Sequence, residues 1–169
     1  MELAVGVDDP RADDVRRLLA IHLDFSRGVT PGEYSFALDV DQLIDPDVTF
    51  FSARSAGQLM GVAALKRLDD AQAELKSMHT RETARGRGVG RALVEHIIGF
   101  ARQAGYRRVS LETGTNEEFM AARALYASVG FERCAAFGPY RPSPYNTFMS
   151  MVLEPPFDEK AQPLRDASG

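Results

Sequence analysis

Three strand-like segments follow one another in the first half of the chain, and this run limits the fold more than any other feature. Residues 48–55 and 59–68 are rich in β-forming and apolar residues, and Ala56-Gly57 separates them as a turn. This pattern predicts an antiparallel hairpin. A second short turn leads into residues 73–80. Because such short connections join antiparallel neighbours, the run predicts a three-stranded meander.

The hydrophobic period then changes from strand to helix. Apolar residues recur on one helical stripe at Val89, Leu93, Ile97 and Phe100. Gly105 follows as a C-terminal stop, and residues 107–112 predict another strand. A strand, a crossover helix and a strand form a right-handed unit, so the two strands should be parallel. The predicted fold class is α/β, with a mixed sheet in which antiparallel N-terminal strands join a βαβ half.

Smaller elements complete the prediction. They are a short strand at residues 1–7, a helix after Asp8-Asp9-Pro10 that Gly28 ends, a helical piece at 39–44, a helix at 117–129, and a strand pair at 131–136 and 146–153 separated by a proline-rich loop. We expect one domain over residues 1–153 and a loosely held tail over 154–169, because the tail combines prolines with many charges.

Charge and cysteine content exclude several classes of protein. The net charge of −4 argues against a nucleic-acid binder, which normally carries a basic surplus. The single cysteine, Cys134, cannot form an internal disulfide, and we interpret it as a small packing residue rather than a nucleophile. The sequence shows neither a secretory signal nor a membrane span, so we expect a cytoplasmic protein without a membrane partner.

The segment Arg85-Gly86-Arg87-Gly88-Val89-Gly90 lies between the third strand of the meander and the long helix. Backbone N–H groups at a helix N-terminus are unpaired, and glycines let the main chain approach an anion closely. Arginines at positions 81, 85, 87 and 91 surround the segment in a net acidic chain. A turn with solvated arginines would explain the composition, but the combination favours a bound phosphate.

Known phosphate motifs do not describe this loop. No Gly-Lys-Ser/Thr follows at the spacing of a P-loop. The dinucleotide fingerprint also fails, because its third glycine falls at Arg91 when it is started at Gly86. Glu112 could imitate the ribose-binding acid, so a nucleotide-binding oxidoreductase stays open as a rival, with the antiparallel meander as the main objection.

Two segments together resemble the GNAT N-acetyltransferase superfamily. Arg-x-x-Gly-x-Gly at residues 85–90 is followed, about 40 residues later, by Leu125-Tyr126 and Gly130-Phe131. The resemblance covers roughly residues 48–153. It implies a sheet that splays between strands four and five, with the pantetheine arm of acetyl-CoA in the opening.

The resemblance also implies which residues bind the cofactor. Main-chain groups of Met78 and Thr80 would bind the pantetheine arm and polarise the thioester carbonyl. The glycine loop would hold the pyrophosphate. Many family members have Asn where this chain has Phe119, and Asn116 is the candidate replacement. The implied cofactor set is Met78, Thr80, Arg85, Gly86, Arg87, Gly88, Val89, Gly90, Arg91 and Asn116.

Tyr126 and Glu74 are the catalytic candidates. Tyr126 resembles the family tyrosine that gives a proton to the leaving thiolate, although a tyrosine on this helix could also be a packing residue. Glu74 matches a glutamate that some members use as a general base. An ion pair with Lys76 is the equally weighted alternative, and Lys76 could instead hold a substrate carboxylate. Strand alternation predicts Glu74, Lys76, Met78 and Thr80 on one face and His79 on the other.

The remaining site predictions concern the acceptor. The segments that frame the acceptor pocket in the family carry His22, Glu33, Tyr34, Tyr140 and Asn146 here, and Glu112 is either a reserve base or a strand-end charge. We predict no metal site, because the three histidines lack ligand spacing.

The sequence therefore predicts an acetyl-CoA-dependent N-acetyltransferase that acts on a small-molecule or peptide amine. A non-catalytic acyl-CoA-binding or sensor module is the alternative from another class, with the oxidoreductase weaker. The sequence leaves the oligomeric state open, with a homodimer among the options.

Overall fold

A computed structural model describes residues 1–34 and 36–155. One seven-stranded sheet runs through it in the order β1-β2-β3-β4-β5-β7-β6. The elements are β1 (Ala4–Val7), α1 (Asp13–Val29), α2 (Val40–Leu43), β2 (Val48–Ser55), β3 (Gln58–Arg67), β4 (Gln72–Thr80), α3 (Val89–Gln103), β5 (Arg108–Gly114), α4 (Met120–Val129), β6 (Glu132–Cys134) and β7 (Asn146–Val152).

The strand pairing confirms the predicted fold class. Strands β1 to β4 are antiparallel in sequence order, and β4 pairs in parallel with β5 across the α3 crossover. The β2–β3 turn has positive φ at both Ala56 and Gly57, which matches the twist of a two-residue hairpin. Strand β7 inserts between β5 and β6, so the final pair closes the sheet.

Two apolar layers cover the sheet. On one face, α3 and α4 pack against a cluster that includes Phe51, Leu75 and Leu111. On the other face, α1 and α2 pack against a smaller cluster that includes Phe50 and Val62. The alternation of Phe50 and Phe51 between the two layers shows that β2 is buried on both sides.

A β-bulge interrupts β4 just past its middle. Lys76 pairs with Ala64 and His79 pairs with Val62, so Ser77 and Met78 together face a single residue of β3. Ser77 has φ of 54°, in the left-handed region. An extra residue on one strand reverses the alternation of every side chain after it.

The bulge overturns two predictions about β4. Ala64 and Val62, which lie opposite Lys76 and His79, belong to the α1 layer. Met78 instead packs against the α3 layer, where Thr80 also lies, beside Gly90. The prediction of one shared face for Glu74, Lys76, Met78 and Thr80 is therefore wrong. His79 shares its face with Glu74, so the prediction that it points away is also wrong.

Parallel pairing between β4 and β5 is short. It joins residues 72–75 to residues 108–111 and does not continue to the ends of either strand. Strand β5 stays paired with β7 along its full length. The two strands therefore separate into a fork, which confirms the predicted splay.

Several boundaries differ from the predictions. Helix α1 continues past Gly28 to Val29, and the helix predicted from residue 117 begins with a 3-10 turn, Glu117–Phe119. Strand β5 extends two residues beyond its predicted end. The tail predicted for residues 154–169 lies outside the described residues from position 156 onward. Across the described ranges, no helix has the length and apolar character needed to cross a membrane.

Candidate active site

The glycine loop presents unpaired backbone donors at the start of α3. Within the described chain, the N–H groups of residues 86–91 donate to no protein acceptor. Gly86 has φ of 73° and Gly88, the N-cap of α3, has φ of 83°. A side chain at either position would meet no atom within 4 Å, so the backbone conformation, not space, favours glycine there. The amides and the helix dipole form an anion-binding site.

Gly90 has a different role from the two preceding glycines. A Cβ atom at Gly90 would lie 2.9 Å from Leu125 Cδ2, so glycine lets α3 approach α4. Arg91 reinforces that contact, because its Nη2 donates to Ser128 Oγ at 2.6 Å. Arg85 and Arg87 are exposed beside the loop and supply its positive charge.

A buried ion pair lies on β4 beside the fork. Glu74 is 3% exposed, and Lys76 Nζ donates to its Oε2 atom at 3.2 Å. Tyr140 reaches the pair from the proline-rich loop, and its hydroxyl donates to Glu74 Oε2 at 2.5 Å. Lys76 Nζ also lies 2.5 Å from the Tyr140 hydroxyl. Burial and the Glu74 charge raise the pKa of Tyr140, so its phenol stays protonated.

A pocket of about 100 Å³ lies where β4 and β5 separate. Its walls combine α1, the segment before α2, both strands of the fork and α4. Polar side chains on the walls include His22, Glu74, Lys76, Ser77, Glu112 and Tyr126. The fork therefore opens into a small compartment with ionisable groups on several sides.

Glu112 is the carboxyl group in this compartment whose pKa is raised. Burial raises the pKa of Glu112 to about 7, nearby Lys76 opposes the shift, and the charge of Glu74 adds to it. Near neutral pH a carboxyl group with this pKa can accept and release a proton. From the sequence, Glu112 is predicted to be a reserve base or a strand-end charge, because the predicted strand ends at this residue.

Tyr126 reaches the compartment from α4. The residue is 6% exposed, and its ring packs edge-on against Phe131 with centroids 5.9 Å apart. Burial, together with the Glu112 charge, raises the pKa of Tyr126 above its ordinary value. The ring is therefore a packing element, and the residue also lines the pocket, while its role as a proton donor stays a prediction.

Comparison with known proteins identifies the family. The model of the acetyltransferase (GNAT) family matches residues 15–131. The chain belongs to the GNAT family. It is 41% identical over 149 residues to the uncharacterised N-acetyltransferase YedL of Escherichia coli strain K12, covering 88% of this chain and 94% of that one.

Solved structures agree with this GNAT assignment. A candidate acyl-CoA N-acyltransferase from Klebsiella pneumoniae superposes with a TM-score of 0.76 at 28% identity, covering 90% of this chain and 98% of that chain. An acetyltransferase of Bacillus subtilis in complex with CoA shares the fold at a TM-score of 0.69 and 19% identity, with coverages of 90% and 100%.

The remaining GNAT cofactor predictions fall at different places. Met78 lines the pocket, and Thr80 lies at the α3 end of β4 beside Gly90. Asn116 is used within the protein, because its Nδ2 donates to the Val29 carbonyl oxygen at 2.7 Å and so ties the β5–α4 connection to the end of α1. Its predicted cofactor contact stays a prediction.

The acceptor predictions are partly brought together. His22, Lys76 and Tyr140 all meet at or beside the pocket. Glu33 lies in an exposed 3-10 turn, and the side chain of Tyr34 lies outside the described part of the chain. Asn146 is buried at the start of β7, where its Oδ1 accepts from Ser143 Oγ at 2.6 Å.

A pair of histidines was not anticipated. His22 Nδ1 and His79 Nδ1 lie 3.1 Å apart, with the rings edge to face. Burial lowers the pKa of both rings to about 4, so both stay neutral near pH 7 and one Nδ1 donates to the other. No local sequence signal indicates this pair, because it depends on the bulge at Ser77, which turns His79 toward α1. Among described residues, no group of three or more His, Cys, Asp or Glu side chains could hold a metal ion.

Proposed function

We propose that this GNAT protein transfers an acetyl group from acetyl-CoA to an amine of a small molecule or peptide by direct attack on the thioester. The observation that carries the proposal is that an anion-binding loop and an ionisable pocket lie at the same fork of the sheet. Unpaired amides at the α3 N-terminus lie at one end of the β4–β5 fork, and a pocket with a carboxyl group of pKa near 7 lies in it. Phosphate recognition and proton transfer would thus be provided at two points along the same fork.

The loop and the fork suit a CoA thioester. The amides of residues 86–91 and the cationic side chains of Arg85 and Arg87 would hold the pyrophosphate. The pantetheine arm would lie between β4 and β5, against the unpaired half of β4 and next to Met78. Main-chain donors there would stabilise the oxyanion that develops on the thioester carbonyl.

Glu112 is our candidate for the general base. An amine attacks only after losing a proton, and a carboxyl group with a pKa of about 7 can take that proton at neutral pH. Glu74, the base predicted from the sequence, already accepts hydrogen bonds from Lys76 and Tyr140. Its carboxylate is therefore engaged by groups of the protein itself. We therefore assign Glu74 to the pocket wall.

Tyr126 is our candidate for the general acid. The leaving thiolate needs a proton, and burial keeps the Tyr126 phenol protonated near neutral pH by raising its pKa, so the residue carries a proton to donate. Its position on α4, across the fork from β4, is compatible with the sulfur of an arm that lies between the strands.

The test is thiol release from acetyl-CoA in the presence of a panel of small amines and N-terminal peptides. Tyr126→Phe should lower kcat by about 100-fold, because a lost general acid costs roughly that much, while CoA affinity stays unchanged. Tyr106→Phe is the matched control, since Tyr106 lies outside the pocket lining and should keep wild-type turnover.

Three results would contradict the proposal in different ways. Equal turnover by Tyr126→Phe would remove the acid role. Tight CoA binding without thiol release from any amine would favour the sensor module. Displacement of CoA by NADH would favour the oxidoreductase. The cytoplasmic location, the single domain over residues 1–153 and the homodimer remain predictions from the sequence.

A further inference from the structure

Ser77 occupies a backbone conformation that suits glycine better than serine. It is the bulged residue of β4, with φ of 54°. L-residues adopt this region at a conformational cost that glycine does not carry. Glycine would satisfy the bulge without that cost, so the backbone alone does not account for a side chain at this position.

The Ser77 hydroxyl is also buried without a partner. The residue is 9% exposed, and its Oγ atom makes no hydrogen bond within the described part of the chain. A hydroxyl removed from water without a new partner is destabilising, and folded proteins rarely keep one. Among buried side-chain nitrogen and oxygen atoms of the described residues, Asn146 Nδ2 shares this property, but Ser77 is the one that lines the pocket.

The neighbouring polar groups do not supply a free hydrogen-bond donor. Lys76 Nζ is held by Glu74 and the Tyr140 hydroxyl. Glu112 in its ionised form only accepts hydrogen bonds, so it suits the N–H of an attacking amine. A hydrogen-bond donor for another part of the ligand is therefore supplied by Ser77, which sits between Lys76 and Met78 at the mouth of the fork.

We propose that Ser77 Oγ–H donates a hydrogen bond to an oxygen atom of the bound acceptor and so determines acceptor specificity. The preferred acceptors are then amines with a hydroxyl, carboxamide or carboxylate oxygen close to the amino group, rather than plain alkylamines. This inference rests on the proposed N-acetyltransferase function and names the substrate class of that site. Ser77 binds and orients the acceptor and takes no part in proton transfer.

Matched amines test the inference directly. In the first pair, 1-amino-2-propanol carries a hydroxyl where isobutylamine carries a methyl group. In the second pair, glycinamide carries a carboxamide where propylamine carries an ethyl group. The two amines of a pair also differ in basicity, so the measure is the ratio of their kcat/KM values in the wild type relative to that in a Ser77 variant. The wild type should exceed the variant in this ratio by about tenfold, the discrimination expected of one satisfied buried hydrogen bond. The readout is the ratio within each pair, which cancels effects on folding and on acetyl-CoA.

Two variants separate the hydroxyl from the backbone. Ser77→Ala removes Oγ and keeps the strained conformation, whereas Ser77→Gly removes Oγ and relieves the strain. Both should lower the wild-type preference within each amine pair by about tenfold, with KM for acetyl-CoA unchanged. Ser77→Ala should melt at the wild-type temperature or above, because it deletes an unpaired buried hydroxyl, and Ser77→Gly should melt higher still.

Several results would overturn the inference. An unchanged amine preference in Ser77→Ala would do so, as would an equal loss for both members of a pair. A selective rise in KM for acetyl-CoA would assign the hydroxyl to the cofactor. A clearly lower melting temperature for Ser77→Ala would reveal a partner inside the protein. If no amine makes the wild-type protein release thiol, the proposed function fails and this inference fails with it. If the wild type is active and Ser77→Ala has the same amine preference, only this inference is overturned.

Discussion

The two sides of the β4–β5 fork treat a buried carboxylate in opposite ways. Glu74 lies where β4 is still paired with β5, opposite Ser110, and its carboxylate has a cation and a phenol as partners. Glu112 lies one residue beyond the last position at which β5 pairs with β4. No ion pair involves Glu112 among the described residues, and its pKa is raised to about 7.

The difference follows from what the strands do. Glu74 lies in the paired part of β4, and Lys76 follows just beyond it on the same face, so the two charges compensate each other. Glu112 has no cation within ion-pair distance among the described residues, and the nearby Lys76 charge opposes the pKa shift only in part, so burial dominates. The same residue type therefore stabilises the wall on one side of the fork and is available for proton transfer on the other.

Glu112→Gln should produce the largest effect. We expect kcat/KM to fall by about 1,000-fold, within the range typical of a lost general base, because the amide cannot accept the proton. In the wild type, kcat/KM should rise as pH increases to about 7 and then level off, since only the ionised carboxylate is a base. Initial rates between pH 5.5 and 9 measure both.

Glu74→Gln is the matched variant for that experiment. If it abolishes the rising limb of the pH profile while Glu112→Gln keeps it, the assignment of the two carboxylates must be exchanged.

In their effect on the free energy of unfolding, Glu74→Gln should be the more damaging of the two variants, and Glu112→Gln the less damaging. Glu74→Gln should cost about 3 kcal/mol of unfolding free energy, because it leaves the Lys76 ammonium buried without its counter-charge. Urea denaturation at pH 7 measures this. The double variant Glu74→Gln/Lys76→Met should recover part of the loss, since both charges are then gone. A loss below about 1 kcal/mol for the single variant would show that the pair is solvated.

The His22–His79 pair extends the comparison to an uncharged pair in the same wall. The folded-state pKa of each ring, about 4, lies below the ordinary 6.5, so its stability contribution is present above pH 6.5 and is lost as pH falls toward 4. We expect the loss to be on the order of 2 kcal/mol between pH 6.5 and 4.5.

Thermal melts across this pH range test the histidine prediction. The double variant His22→Phe/His79→Phe should show a weaker pH dependence. His96→Gln, which changes an exposed histidine on α3, should retain the wild-type dependence. Identical pH curves for the wild type and the double variant would exclude the pair as the cause.

Glu112→Gln should also change stability, in the opposite direction with pH to the histidine pair. The folded-state pKa of Glu112 is raised, so its stability contribution is present below the ordinary value of 4.5 and is lost as pH rises through about 7. The variant should therefore be more stable than the wild type at pH 8 and lose that advantage toward pH 4.5. A variant less stable than the wild type at pH 8 would show that the ionised carboxylate has a partner.

Much of the fold could be predicted because its signals are local. The Ala56-Gly57 turn predicts the meander, and the stripe from Val89 to Phe100 predicts the crossover helix. The right-handed crossover rule then predicts parallel pairing of the two strands that the helix connects. The glycine loop could be predicted for the same reason, since Gly88 both ends the loop and caps α3. The family resemblance supplied the position of Tyr126, which lies in the pocket lining.

The inside of the pocket could not be predicted because it depends on one backbone irregularity. Alternation is a rule for regular strands, and a serine does not announce a bulge as a glycine would. The bulge at Ser77 redirects Met78 and brings His79 to His22. Glu112 was undervalued because it faces a pocket whose wall includes α1 residues such as His22, far away in the sequence.

The brevity of the β4–β5 pairing has a consequence for backbone dynamics. A central strand usually protects its amide hydrogens on both sides, yet residues 76–80 of β4 have a ladder partner only in β3. Amides that point away from β3 should exchange with deuterium faster than those of residues 72–75, in the middle of an otherwise slowly exchanging sheet. Saturation with a molecule that fills the gap should slow this exchange selectively, so the sheet itself reports occupancy.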